Sequence, residues 1–252
     1  FLFSDTKLFK PSKKGIVMTK QYKIAVPIVG PEQIDVVKQS AEAVSRGADI
    51  LEFRFDGVKG LNQFNVFPYA NLFVSRPRIF TNRHPAEVAE NDRGRFGYKG
   101  TEKERLAVLR TVASFEPTYL DVEHKHFHHV DVNPKKTKRV VSYHDFKHTP
   151  GYERLKQIYN EIADRRETDI VKMAFMVTDR RDNENLFRLM EYSLGKDMKP
   201  AVIVGMGELG EITRYGGPSR GSLWTFGALC KERQSAPGQP SIEKLRTEMQ
   251  KY

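Results

Sequence analysis

AVIVGMGELGEITR, residues 201–214, is the stretch on which the fold turns. A short apolar run leads into Gly205-x-Gly207-x-x-Gly210 and then into a segment of helical character. That spelling suits a dinucleotide-binding turn, where glycines let the backbone approach a pyrophosphate and a helix N-terminus faces its charge. It equally suits a tight turn at the C-terminal end of a strand in another α/β fold. The surroundings decide between the two. A dinucleotide fingerprint opens its domain, with several βα units after it. Here only about 40 residues follow Arg214, and the acid expected about 20 positions on would be Glu232, past the next strand-like run. The turn is therefore read as a strand end.

Upstream, the runs YKIAVPIV, ADILEFRF, PRIFTNR, TYLDVE, RVVSYHDF and DIVKMAFMV precede KPAVIVG, and GSLWTFGA follows it. Between most of them lie amphipathic stretches such as PEQIDVVKQSAEAVSRG and TPGYERLKQIYNEIADRRE, with apolar residues at three- and four-residue spacing. Eight strands alternating with helices, without a low-complexity linker, predict a single-domain (β/α)8 TIM barrel over residues 22–252. Residues 1–21 are expected to form an N-terminal extension or a segment capping the barrel. One connection is irregular. HKHFHHVDVNPKKTK carries Pro134 and little helical periodicity, so its helix is expected to be short or missing.

Strand side chains alternate between faces, and both faces of a helix-covered parallel sheet are buried, so polar residues there need a reason. In ADILEFRFD, Glu52, Arg54 and Asp56 share a face opposite Leu51, Phe53 and Phe55. Thr81 pairs with Arg83 in the third run, Asp121 with Glu123 in the fourth, and Ser142 with His144 in the fifth. In the sixth, Lys172 lies between Val171 and Met173. Five consecutive strands thus carry charge or imidazole toward their C-terminal ends, where barrel enzymes place their chemistry. Burying so many charges without use would be costly. Lys172 has the character of a Schiff-base nucleophile, because desolvation favours the neutral amine. The bland reading pairs it with a carboxylate such as Glu52 or Glu123. His144 is the natural proton carrier. Its expected orienting partner is Glu123 on the adjacent strand.

Composition bounds the function. The 252 residues contain one cysteine, which excludes an intrachain disulfide and fits a reducing, cytoplasmic setting. No apolar run approaches the length of a membrane span. The formal charge of +10, with a pI near 9.5, suits capture of a small anionic substrate. It would also suit nucleic acid, but the basic residues are dispersed and no nucleic-acid-binding signature is present, so neither nucleic acid nor membrane is expected as a partner. His124, His126, His128 and His129 cluster on one loop without a carboxylate cage, so no metal site is assigned to them.

At HDFKHTP, with LEFRFD upstream and SAPGQ downstream, the chain resembles the type I 3-dehydroquinate dehydratases of the shikimate pathway. The likeness runs from about Tyr22 to the C-terminus. It implies a (β/α)8 barrel without metal or cofactor, acting on 3-dehydroquinate, and it admits a homodimer. By this resemblance Lys172 is the Schiff-base lysine, His144 the general acid/base and Glu123 its supporting carboxylate. Arg214 would hold the substrate carboxylate, while Glu52, Arg54 and Arg83 would contact the ring hydroxyls. Ser235 and Gln239 fall on the mobile loop after the last strand. GMGELG departs from the Ser- or Lys-containing segment common in the family. The nearest rival is another Schiff-base lyase or aldolase on the same barrel, in which backbone amides around GMGELG would cradle a phosphate.

Overall fold

The computed structural model describes residues 22–127 and 130–252. Among them the strands are β1 (Ile24–Ile28), β2 (Ile50–Arg54), β3 (Arg78–Thr81), β4 (Tyr119–Glu123), β5 (Lys138–Asp145), β6 (Ile170–Met176), β7 (Ala201–Met206) and β8 (Thr225–Phe226). The helices are α1 (Gln33–Ser45), α2 (Phe67–Ala70), α3 (Glu102–Ala113), α4 (Tyr152–Ala163), α5 (Arg180–Tyr192), α6 (Glu211–Gly216) and α7 (Ile242–Glu248). Strands β1 to β7 pair in sequence order, all parallel, and β8 pairs with β1. The two-residue β8 nearly closes the ring. Leu223 N donates to Ala201 O at 2.9 Å across the remaining gap. The architecture is the (β/α)8 barrel expected from the eight runs.

Alternation on the strands builds two cores. Val171, Met173 and Phe175 of β6 face outward and pack with helix residues such as Leu155, Ile158 and Ile162 of α4. Ile50, Ile79, Val140, Ile170 and Val202 point into the barrel and form a separate apolar layer with Trp224 and Phe226. Polar side chains lie above that layer, toward the C-terminal mouth. Thr101 and Glu104 form a capping box at the start of α3, as Asp179 and Asp182 do for α5. These local signals fix where the chain turns back after β3 and β6.

Two connections are thin. Between β4 and β5 no helix appears among the described residues, as Pro134 and the lack of periodicity predict. Between β2 and β3 the helix is cut to the four residues of α2. The expected extension over residues 1–21 lies outside the described residues, as do His128 and His129.

Candidate active site

Lys172 projects into the barrel at mid-strand on β6 and is 6% exposed. It does not stand bare. Its Nζ donates to Asp121 Oδ2 at 2.8 Å and to Glu52 Oε1 at 3.3 Å, and lies 4.7 Å from the centre of the Phe226 ring. Of the carboxylates expected near it, Glu52 is there and Glu123 is not; Asp121 takes that place. Thr81 donates its hydroxyl to Glu52 Oε1 at 3.1 Å, and Ser142 donates to Asp121 Oδ1 at 2.7 Å. Arg83, just past the end of β3, donates to Asp121 Oδ2 at 3.0 Å and to Ser142 Oγ at 2.8 Å. Burial opposes the Asp121 charge, yet Arg83 and Lys172 hold its carboxyl well below the usual range.

Glu123 is placed differently from the expectation that it orients His144. Its Oε1 accepts from His84 N at 2.7 Å and lies 3.3 Å from Arg83, and its Oε2 accepts from Arg105 Nη1 at 3.0 Å. Arg105, on α3, is 1% exposed and also binds Glu102 and the carbonyl of Asn82. Glu123 therefore anchors the exit of β3, and with it Arg83. The charges of this interior group balance: Lys172, Arg83 and Arg105 face Glu52, Asp121 and Glu123. That balance is what makes the burial tolerable.

The carboxylate on the imidazole is Glu87, with His144 Nδ1 and Glu87 Oε2 2.9 Å apart. Glu87 arrives by a local device. His84 caps a 3-10 turn over Pro85–Glu87, accepting from Ala86 N at 3.1 Å, and Pro85 presets the first turn position. The turn folds Glu87 back over the barrel mouth. Burial pushes the Glu87 carboxyl up to about 8. Burial, then the Arg83 and Lys172 cations, push the His144 imidazole well below its ordinary value. Both shifts disfavour charge and favour a protonated carboxyl beside a neutral imidazole. The sequence signal for Glu87 was an acid four residues past Arg83 in the turn after a strand, a position without alternation to read.

Arg54 is held by Asp56 through two bonds of 2.9 and 2.7 Å. Arg214, on α6, is 1% exposed and forms no ion pair among the described residues. Its guanidinium reaches only the carbonyls of Phe226 and Pro237, at 3.5 and 3.4 Å, and Nε has no partner. Burial lowers its pKa to about 10. A buried, unpaired guanidinium facing a cavity has the geometry and charge to receive a carboxylate. Ser235 and Gln239 lie on the loop between β8 and α7 and bind each other: Ser235 N donates to Gln239 Oε1 at 2.8 Å. Glu52, Arg54, Arg83, His144, Lys172, Arg214, Ser235 and Gln239 all line one cavity, and Glu87 joins them. About 40 Å³ is left inside it, and the loop that carries Ser235 and Gln239 forms part of its wall.

The three glycine amides of the glycine-rich turn are already engaged. Gly205 N donates to Thr213 Oγ1 at 2.7 Å, Gly207 N to Pro237 O at 3.2 Å and Gly210 N to Gly207 O at 3.1 Å. The loop histidines diverge. His124 accepts from Arg165 at 3.2 Å, while His126 stacks on His84 with ring centres 3.6 Å apart. Among the described residues no helix is long and apolar enough to cross a membrane.

A family model described as type I 3-dehydroquinase matches residues 24–250. The 3-dehydroquinate dehydratase of Methanocaldococcus jannaschii is 31% identical over 230 residues, covering 88% of this chain and 96% of that protein. Among solved structures, 3-dehydroquinate dehydratase from Geobacillus kaustophilus aligns with a TM-score of 0.78 and 26% identity, over 91% of this chain and 90% of that one. The Enterococcus faecalis 3-dehydroquinate dehydratase aligns with a TM-score of 0.71 and 25% identity, over 92% and 94%.

Proposed function

Because the chain belongs to the type I 3-dehydroquinase family, we propose that it dehydrates 3-dehydroquinate to 3-dehydroshikimate through a Schiff base on Lys172, with His144 as general acid/base. It is a hydro-lyase of the shikimate pathway. The observation that carries the residue assignment is the burial of Lys172 between Asp121 and Glu52 in a cavity it shares with His144 and an unpaired Arg214.

The chemistry balances on these groups. An ammonium and a ketone give an iminium and water without net change of charge. The carboxylates Asp121 and Glu52 that balance the Lys172 ammonium therefore balance the iminium formed at C3 of the substrate as well. The iminium acidifies the C2 proton, which passes to His144 Nε2 and leaves an enamine. The enamine expels the C1 hydroxyl, which takes the proton back from His144 and departs as water. Hydrolysis of the conjugated iminium restores Lys172 and releases product. Glu87 orients the imidazole through Nδ1. Arg214 takes the substrate carboxylate, while Glu52, Arg54 and Arg83 contact ring hydroxyls and Ser235 and Gln239 close the site. Glu123 supports the site by anchoring Arg83 and His84. The engaged amides of Gly205, Gly207 and Gly210 favour this reading over an aldolase with a phosphorylated substrate.

Incubation with 3-dehydroquinate and borohydride, followed by intact mass and peptide mapping, tests the reading. The expected result is a single reduced adduct on Lys172. Lys172→Ala is expected to abolish turnover and the adduct while keeping a cooperative thermal transition. Turnover retained in that variant would sink the mechanism.

A further inference from the structure

A second and larger cavity, of about 640 Å³, opens beside the active site. It lies among the loops that follow β1, β2, β3 and β8, on the same C-terminal face, and shares no lining residue with the catalytic cavity. Its volume falls within the range of small-molecule sites. The partition between the two is thin. Val29 and Phe96 on the far side pack with Val88 on the catalytic side. The Phe96 ring carries the Arg54 guanidinium at 4.8 Å, and Gly97 N donates to Asp56 Oδ2 at 2.9 Å.

The lining has two chemistries. Val29, Leu61, Phe96 and Tyr98 supply a buried apolar and aromatic wall. Lys59, Arg95 and Lys99 supply positive charge. Lys59 forms no ion pair among the described residues. Lys99 Nζ donates to the carbonyls of Arg93 and Phe96, which leave its charge uncompensated. Arg95 sits 4.7 Å from the centre of the Phe96 ring and only 4.0 Å from Asp92. The two carboxylates on the lining are engaged, Asp56 by Arg54 and Glu104 by the N-cap of α3. Arg233, also on the lining, pairs with Glu42 at 2.7 Å. Gln39 adds a neutral donor. It is 6% exposed, its Oε1 accepts from Val29 N at 2.9 Å, and its amide nitrogen has no partner among the described residues.

We propose that this cavity binds a small organic anion with a flat apolar body, its charge on Lys59, Arg95 and Lys99 and its ring against the edges of Leu61 and Tyr98. A simple inorganic anion would fill little of a cavity this large, and a neutral ring would leave three cations unanswered. The binding is independent of the reaction assigned to Lys172, and is measured without turnover. Occupancy presses on the wall that Arg54 and Val88 share with the catalytic cavity.

Calorimetric titration with benzoate tests this, with benzamide as the uncharged isostere. The expected result is a saturable benzoate site that survives Arg214→Ala, whose cation belongs to the other cavity. Benzamide is expected to bind about tenfold more weakly, and the Lys59→Ala/Arg95→Ala double variant to weaken benzoate about tenfold or more. Both substituted side chains are exposed, so the fold is retained. Absence of saturable benzoate binding, equal binding of benzamide, or benzoate binding lost in Arg214→Ala and kept in the double variant would each overturn the proposal.

Discussion

At the scale of single residues, the proposed acid/base role of His144 makes its pairing with Glu87 the expected source of the pH dependence. The base-competent state has a neutral imidazole, with Nδ1–H donating to an ionised Glu87 and Nε2 free to accept a proton. Burial raises the Glu87 carboxyl to about 8 and lowers the imidazole, so below that pH the pair carries one proton too many. The expected kcat/KM therefore rises with pH through the neutral range and levels above about 8. Glu87→Gln leaves an imidazole whose own proton is lost well below its ordinary value. The acid limb is then expected to move to lower pH, with a reduced plateau from the poorly oriented ring. An acid limb that stays in place would show that Glu87 does not titrate with His144. Lys172 and His144 were legible in the sequence because a charge on a buried strand face has nowhere to hide, and Arg214 only through the family resemblance. Glu87 was not, because its position comes from a 3-10 turn with no repeat to read.

At the scale of elements, contacts between loops and helices govern the site. Arg105 of α3 ties β4 to the exit of β3 through Glu123, wholly out of water. Arg105→Ala leaves Glu123 with Arg83 and the His84 amide, and is expected to cost about 3 kcal/mol in urea unfolding, at the low end for a broken buried pair. A loss no larger than that of a surface substitution would show that the pair is not isolated from solvent. The glycine turn after β7 receives the closing loop. Gly207 has φ +79, Gly207 N donates to Pro237 O at 3.2 Å, and a Cβ on Gly238 would come 2.3 Å from Gly207 O. Gly238→Ala is expected to hold the loop away, raising KM and lowering kcat/KM severalfold with little change in melting temperature. Unchanged kinetics would mean that closure does not need this approach. GMGELG thus carries the spelling of a nucleotide turn for a different reason: Gly205 and Gly210 pack against each other, and a Cβ on Gly207 would meet Met176 Sδ at 2.9 Å.

At the scale of the whole molecule, a chain of formal charge +10 attracts an anionic substrate over distances set by salt. Raising ionic strength is expected to lower kcat/KM while leaving kcat unchanged, as measured by steady-state turnover across a sodium chloride series. An effect confined to kcat would place the salt sensitivity inside the closed site instead. The barrel also distributes labour between its two cores. The apolar layer of Ile50, Ile79, Val140, Ile170 and Val202 lies on the N-terminal side, and the balanced charges lie above it toward the mouth. The strands thereby support the polar layer on a dry base.

The sequence by itself determined the eight strands, their parallel order and the residues each strand turns toward the barrel, because burial on both faces imposes a period-two pattern that local reading detects. It also marked the connection between β4 and β5 that carries no helix among the described residues. Only the tertiary structure decided which charge meets which. Lys172 lies 120 positions from Glu52 and 51 from Asp121. Glu87 takes the place beside His144 that was expected of Glu123, and Glu123 turns to Arg105 and Arg83, because a turn and a helix side chain reach the mouth from outside the strands. Such pairings depend on distances across a closed ring, which no spacing along the chain encodes.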